Sequence, residues 1–278
     1  MNKRLLITIF ILSLIVGLVG YFYFQLENKK QEVVFLDVGQ GDSTLINLFG
    51  NNEVLIDGGP DESVLYGLGK FLPLYDRSIE LMIITHAHDD HLSGLIEVLQ
   101  RYAVKEILMT CDDKINSSIY NNFLELLKIK AVKIICAEEN LTLDLKNAKL
   151  EIIYPSKNCD LCTAEPGGNN SSLVFKITLN NGQSFLFTGD IEAEAEEEIL
   201  KSIHTVKLAA DILKVPHHGS DTSLTEEFLQ AVKPKEAIIF VGADNKFGHP
   251  SLRTIKRLER NGVEVKRTDL EGSIRYNE

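Results

Sequence analysis

The sequence lacks short internal repeats and low-complexity tracts, which excludes a fibrous or largely disordered chain. Apolar residues make up 44% and charged residues 25% of its 278 positions, as in an ordinary globular protein. This length suffices for one large domain with a buried core or for two small ones.

Basic residues are scarce relative to acidic ones. The chain has 29 Lys and Arg against 40 Asp and Glu. Two of the basic residues, Lys3 and Arg4, precede a long apolar run, so the remainder has 27 basic and 40 acidic residues and a net charge of −13. Such an acidic domain is not a general binder of phosphate backbones. Any contact with nucleic acid must therefore be local and assisted by metal ions.

Cysteines are also few: Cys111, Cys136, Cys159 and Cys162. Outside the cell they could form disulfides. Cys159 and Cys162 have the spacing of half a zinc site, but no second Cys-x-x-Cys or suitably spaced histidine follows nearby. We expect a loop disulfide or free thiols, and the pairing stays open.

One long hydrophobic run is present, from Leu5 to Phe24, with 20 residues and no charge. As a helix it would span roughly 30 Å, the thickness of a bilayer core. It exceeds a signal-peptide core and lacks a small-x-small cleavage site. We therefore predict a cytoplasmic flank at 1–4, a transmembrane anchor at 5–24, a linker at 25–31 and an outer domain at 32–278. The alternative is a cleaved signal peptide and a secreted protein.

Residues 32–278 alternate β-branched apolar runs with helical patterns. The early strands follow one another as a meander, whereas later strands alternate with helices; 155–170 is predicted to be a polar loop. This order predicts an α/β fold in which two mixed sheets pack together with helices outside, a four-layer αββα sandwich.

The chemistry is concentrated in Thr85-His86-Ala87-His88-Asp89-Asp90-His91, between a predicted buried strand and a helix. Residues two apart in an extended segment point the same way, so His86 and His88 can bind one ion together. The chain turns at the helix start, so Asp90 and His91 can face a second ion. Imidazole and carboxylate together suit zinc, manganese or iron better than calcium or magnesium.

Further polar residues follow other predicted strands: Asp57, Asp190 and the pair His217 and His218. Taken singly, Asp57 and Asp190 are equally consistent with turn or helix-capping residues. Together, the repeated order of apolar run, polar residue and glycine predicts one cleft lined by sheet ends.

The string His-x-His-x-Asp-His, with Asp57-Gly-Gly upstream and Thr-Gly-Asp190 downstream, resembles the metallo-β-lactamase superfamily over 32–278. More narrowly, the segments 35–43, 216–220 and 247–250 resemble the hydrolase domain at the C-terminal end of ComEC DNA-uptake proteins. In place of the multi-span membrane region of those proteins, we expect one anchor in this chain.

The resemblance implies a ligand set and a metal pair, zinc by expectation with manganese as the alternative. His86 and His88 match ligands of the first metal, and Asp90 and His91 match ligands of the second. Asp190 matches the bridging carboxylate, and His218 the last histidine, with His217 as its competitor. Asp57 matches an aspartate that orients the ligands.

One departure concerns the loop before the predicted hairpin. Superfamily members usually carry a further first-metal histidine there, whereas this chain has Asn169 and Asn170. An amide oxygen is a weaker ligand, so the first site is expected to bind loosely or to prefer a harder ion such as manganese.

These observations predict a metal-dependent hydrolase, a phosphodiesterase that cleaves nucleic acid with a metal-bound hydroxide, with single-stranded DNA as the candidate substrate. Asp90 and His249 are expected to be catalytic, with His249 donating a proton or binding phosphate. Ser172 and Ser220 are expected to bind substrate, unless they cap turns. Two alternatives stay open: a phosphoesterase acting on a cell-envelope substrate such as phosphorylcholine, and a non-catalytic tethered module that binds a polymer. Protein partners are not predicted.

Overall fold

The computed structural model describes residues 3–27, 31–50, 52–111, 114–155, 159–202 and 207–277. Helix α1 covers Lys3–Glu27, and Lys3–Tyr21 within it is exposed and apolar enough to cross a membrane. The helix runs three residues beyond Phe24, the predicted end of the anchor. Residues 28–30 of the predicted linker lie outside the described residues.

The strands form two seven-stranded sheets. In spatial order the first sheet contains β14 (Ile274–Asn277), β1 (Glu32–Phe35), β2 (Thr44–Leu48), β3 (Asn52–Ile56), β4 (Ser78–Ile83), β5 (Ala103–Met109) and β6 (Lys133–Cys136). The second contains β13 (Glu264–Arg267), β12 (Glu236–Ile239), β11 (Ile212–Lys214), β10 (Ser184–Phe187), β9 (Val174–Leu179), β8 (Ala148–Tyr154) and β7 (Thr142–Asp144). The other helices are α2 (Ser63–Phe71), α3 (Asp89–Arg101), α4 (Ser118–Ile129), α5 (Asp160–Ala164), α6 (Ala193–Ser202), α7 (Glu226–Val232), α8 (Leu252–Arg260) and α9 (Thr268–Glu271).

Each sheet is half antiparallel and half parallel. Strands β3 to β6 are parallel in the first sheet, and β10 to β13 are parallel in the second. The carboxyl ends of parallel strands lie at one edge of a sheet, where open α/β sheets commonly bind ligands.

Three apolar clusters separate four layers. Along β1, Val33 and Phe35 face the second sheet while Val34 packs beneath α2, α3 and α4, the period-two alternation of a strand with both faces covered. The outer face of the second sheet packs against α6, α7 and α8. The predicted α/β class and αββα sandwich are therefore confirmed.

The prediction missed two short elements, and the predicted loop contains a third. Strand β7 and helix α9 have three and four residues, too few for a hydrophobic period to be recognisable. The segment 155–170 contains α5, whose first turn is capped by the sulfur of Cys159. The four cysteines form two disulfides, Cys111–Cys136 and Cys159–Cys162, which answers the pairing left open by the sequence.

Candidate metal centre

The predicted site residues converge at one edge of the two sheets. Asp57 follows β3, the segment 85–91 joins β4 to α3, Asp190 follows β10 and His218 follows β11. Gly58 and Gly94 allow α3 to pack closely against the turn after β3. A Cβ on Gly94 would lie 1.9 Å from the Gly58 oxygen, and the Gly58 amide donates to the His91 carbonyl at 2.7 Å. Larger side chains would separate His91 from the first sheet.

Asp57 organises the histidines from beneath. Its carboxylate accepts hydrogen bonds from the Thr85 backbone amide (2.8 Å) and the Thr85 hydroxyl (2.8 Å), and it lies 2.9 Å from His91 Nδ1. Since the Thr85 hydroxyl donates to Asp57, its oxygen is free to accept from His86 Nδ1 at 3.2 Å. These contacts favour a proton on Nδ1 of both histidines, which leaves Nε2 as the atom that can bind a metal ion.

His218 approaches the same point from the second sheet. Its Nδ1 lies 3.1 Å from the Phe240 carbonyl oxygen, and its Nε2 lies 3.1 Å from Asp90 and 3.2 Å from Asp190. Asp190 is also 3.3 Å from His91 Nε2, and Asp90 is 4.0 Å from that atom. Asp90 and His91, the predicted second-metal ligands, therefore face Asp190, the predicted bridging carboxylate, and His218.

His218 reaches this position through an unusual turn. Both His217 and His218 have left-handed backbones, with φ of 47° and 52°. Non-glycine residues rarely adopt that region, and the strain is typical of functional sites. The turn buries His218 and leaves the His217 side chain partly exposed at the rim.

Sequence reasoning missed two residues that complete the cluster. Asp42, in the turn between β1 and β2, lies 3.4 Å from His218 Nδ1, and it can join His91, Asp190 and His218 in a buried group whose ligand atoms lie within 4.8 Å of one another. The ammonium of Lys214 pairs with Asp42 and with Asp190 at 3.0 Å, and it donates to the Gly189 carbonyl at 2.7 Å. A lysine inside the apolar run Ile212–Val215 was the available signal, because a buried ammonium requires a carboxylate partner.

The buried carboxylates of the cluster create a negative potential that favours positive charge at the neighbouring histidines. Burial and the adjacent His91 hold the pKa of His86 well below its usual value, which keeps this imidazole neutral. Burial opposes ionisation of His91 and His218 too, yet the surrounding carboxylates, above all Asp190, raise the pKa of both well above normal. For Asp190, charges on His218, Lys214 and His91 outweigh burial and lower the pKa well below normal.

The donor set fits a divalent metal ion. The Nε2 atoms of His86 and His91 are buried without a hydrogen bond from any described residue. Such atoms are costly to bury unless a proton or cation satisfies them. Imidazole nitrogens with carboxylate oxygens are the ligands that zinc and manganese accept. A cation between the histidines and Asp190 would supply the charge that protonated His91 and His218 otherwise carry.

The two asparagines of the first-metal loop differ in their contacts. Asn169 Nδ2 lies 3.4 Å from His217 Nε2, and its Oδ1 is buried without a hydrogen bond from the described chain. Asn170 Oδ1 instead accepts from the Glu192 backbone amide at 2.8 Å. The contacts favour Asn169 as the weak ligand and assign Asn170 to holding the loop against α6.

Two of the predicted site residues, His88 and His249, lie on the solvent side of the candidate metal centre. His88 is exposed, and its ring centroid lies 4.6 Å from that of His86. His249 is partly buried, with its centroid 5.6 Å from His217 and 6.4 Å from His218. Burial and the two neighbouring histidines lower the pKa of His249, so a neutral ring that donates one N–H is favoured at neutral pH.

Both predicted substrate-binding serines are buried and form hydrogen bonds within the neighbouring turns. Ser172 is fully buried and accepts from the Asp190 amide at 3.1 Å. Ser220 is also buried, and its oxygen lies 2.9 Å from the Thr222 hydroxyl and accepts from the Thr222 amide at 3.3 Å. These contacts favour the alternative that both serines stabilise the turns that present Asp190 and His218.

Comparison with known proteins gives the same fold. A family model described as "Beta-lactamase superfamily domain" matches residues 52–239. The chain is 30% identical over 273 residues to ComE operon protein 3 of Bacillus subtilis, covering 92% of this chain and 34% of the relative. It is 28% identical over 266 residues to competence protein ComA of Neisseria gonorrhoeae, covering 95% and 34%.

Among solved structures, the metallo-β-lactamase fold protein YhfI of Bacillus subtilis superimposes with a TM-score of 0.57 at 13% identity. That match covers 88% of this chain and 99% of YhfI, and at this identity it concerns the fold alone. The chain spans about a third of the length of the curated competence relatives that it matches.

Proposed function

This chain belongs to the beta-lactamase superfamily and is a homologue of the ComEC proteins, and on that premise we propose that it is a membrane-anchored phosphodiesterase acting on nucleic acid outside the membrane. The observation that carries the proposal is the convergence of His91, His218, Asp90 and Asp190, with separations of 3.1 to 4.0 Å between facing atoms. A closed structural zinc site needs only four ligands, whereas this centre also has His86 and His88 beside it.

The proposed centre holds two divalent ions, zinc or manganese. His86, His88 and Asn169 would hold one, Asp90, His91 and His218 the other, and Asp190 would serve both. Such a pair activates water and offsets the negative charge of a phosphodiester. Within the protein, Asp57 fixes the ring orientations of His86 and His91, and Lys214 holds Asp190 in its ionised form.

We propose further that His249 binds the phosphate or protonates the leaving oxygen. Its ring lies at the rim next to His217 and His218, where its N–H can donate to a phosphate oxygen or to the leaving oxygen. Asn245 fixes this loop, since its side chain donates to the His249 carbonyl at 2.8 Å and accepts from the His249 amide at 3.0 Å.

The placement outside the membrane has separate support. Lys3 and Arg4 precede the apolar part of α1, and positive flanks stay in the cytoplasm. The domain contains two disulfides, and disulfides form and persist in oxidising compartments.

The test uses the full chain in an alkyl maltoside detergent, supplied with manganese or zinc. We expect cleavage of single-stranded DNA and of bis(p-nitrophenyl) phosphate. Removal of a ligand in His88→Ala or Asp90→Ala should lower turnover by more than about 100-fold. Asp89→Ala is the matched control, because this exposed carboxylate lies on the same turn. Full turnover in the two ligand variants would rule out the proposed centre, and turnover of phosphorylcholine esters without DNA cleavage would favour the envelope substrate.

A further inference from the structure

The loop between β12 and α8 carries an exposed aromatic ring beside the metal centre. Phe247 is 71% exposed, and its ring is nearly parallel to that of His249, at 13° with a centroid distance of 5.9 Å. A single exposed aromatic residue does not by itself indicate a binding site, because such residues are common on protein surfaces. Here a flat apolar face lies one ring away from His217 and His218, at the entrance to the centre.

The segment that contains Phe247 and continues through α8 has the opposite net charge to the rest of the chain. Residues 244–260 contain five basic and two acidic residues, a net charge of +3, whereas the chain after Arg4 has a net charge of −13. Arg253, Lys256 and Arg260 recur at the spacing that places residues on one helix face. Lys246, Arg253 and Lys256 are exposed and form no ion pair with any described residue.

This basic face has a fixed position relative to the centre. The Ser251 amide donates to the Gly219 carbonyl at 2.8 Å, and the Thr254 hydroxyl donates to the Ser220 carbonyl at 2.8 Å. Gly219 directly follows His218, so the N-terminal end of α8 is tied to the turn that carries a predicted metal ligand. The helix then leads away from the centre.

We propose that Phe247 and the basic residues Lys246, Arg253 and Lys256 form a binding track for single-stranded nucleic acid. This inference rests on the proposed phosphodiesterase function and specifies its substrate. The base beside the scissile phosphate stacks on Phe247, and the following phosphates run along α8. Bases are available for stacking only when unpaired, and aromatic stacking with a basic groove is the general mode of single-strand binding. A phosphoester without a base would gain nothing from Phe247.

The first experiment measures stacking independently of cleavage. The chain has no tryptophan, so Phe247→Trp introduces a single tryptophan, which is excited selectively at a wavelength where the eight tyrosines do not absorb. In the full chain in detergent, an oligothymidylate should quench this fluorescence, and an equally long oligomer of abasic units should not. Phe247→Ala should weaken oligothymidylate binding roughly 5- to 150-fold and leave the abasic oligomer unaffected. Tyr66→Ala removes another exposed aromatic, on α2, and should change neither affinity.

The second experiment separates charge from stacking. The double variant Arg253→Gln with Lys256→Gln should weaken binding of both oligomers and reduce the slope of log affinity against log salt by about 1.4. Lys128→Gln with Lys130→Gln removes the same charge at the end of α4 and should leave the slope unchanged.

The track would be overturned if both oligomers quenched the fluorescence equally, or if Phe247→Ala lowered the affinity for both oligomers equally. The outcome is distinguishable from failure of the proposed function. Base-dependent binding without any cleavage would contradict the proposed phosphodiesterase function but not the track. Cleavage without base-dependent binding would contradict the track but not the phosphodiesterase function.

Discussion

Lys214 is buried with 2% of its surface exposed, in a strand whose other residues are apolar. Its contacts with Asp42 and Asp190 hold two carboxylates close together beneath the histidines. Burial opposes its charge, yet these carboxylates outweigh that effect and raise its pKa above normal. Lys214 therefore supplies a permanent positive charge, which a metal ion would supplement.

Replacement of this residue by an apolar one of similar length tests that role. Lys214→Met leaves the two buried carboxylates without their lysine partner, which should lower the free energy of unfolding by about 3–5 kcal/mol. Bound zinc would supply positive charge to Asp190, so the loss should be smaller when metal is present. Urea unfolding with and without zinc measures both values, with the exposed Lys128→Met as control. An identical loss under both conditions would contradict a metal at Asp190.

At the scale of elements, Asp211 fixes the starts of three strands at the edge opposite the centre. Its carboxylate accepts from the amide (3.0 Å) and the hydroxyl (2.8 Å) of Ser184, the first residue of β10, and it pairs with Lys235 before β12 at 2.8 Å. Burial would raise its pKa, but Lys235 and Ser184 outweigh burial and lower it. The alignment of β10 to β12 in turn determines where Asp190 and His218 emerge.

Because the pKa of Asp211 is lower in the folded chain, its ionised form stabilises the fold fully at a pH well above the pKa of the unfolded chain, about 3.9. This stabilisation is lost as the pH falls from there through the lower pKa of the folded state. Asp211→Asn should therefore lower the free energy of unfolding by about 0.5–1 kcal/mol at pH 7, a modest value because solvent screens this partly exposed group. The difference from wild type should shrink as the pH falls below about 5. Urea titrations from pH 7 to 4 measure it, with the exposed Asp244→Asn as control; a difference independent of pH would contradict the assigned ionisation.

At the scale of the whole molecule, the centre exists only because the two sheets meet. Asp90 and His218 are 128 residues apart in sequence and 3.1 Å apart in the structure. The local cluster at 86–91 could be predicted, because its residues share one strand-to-helix junction. Asp57 was recognisable as a polar residue between an apolar strand and a glycine, and Asp190 as a polar residue directly after the Thr-Gly that ends an apolar strand.

Other features depend on contacts that no local pattern reveals. Asp42 becomes part of the cluster only when the turn after β1 meets Lys214 of the other sheet. The roles of Asn169 and Asn170 differ because the loop directs only one side chain to His217. The same holds for Ser172 and Ser220, whose hydroxyls are used within the turns.

The metal content of the full chain, purified in detergent without chelators, tests the central claim most directly. We expect about two divalent ions per wild-type chain. Asp90→Ala, which removes a partly exposed ligand, should retain the fold by circular dichroism and bind about one ion fewer. A wild-type chain that binds no divalent ion, or an Asp90→Ala chain with unchanged content, would contradict a metal pair at this sheet edge.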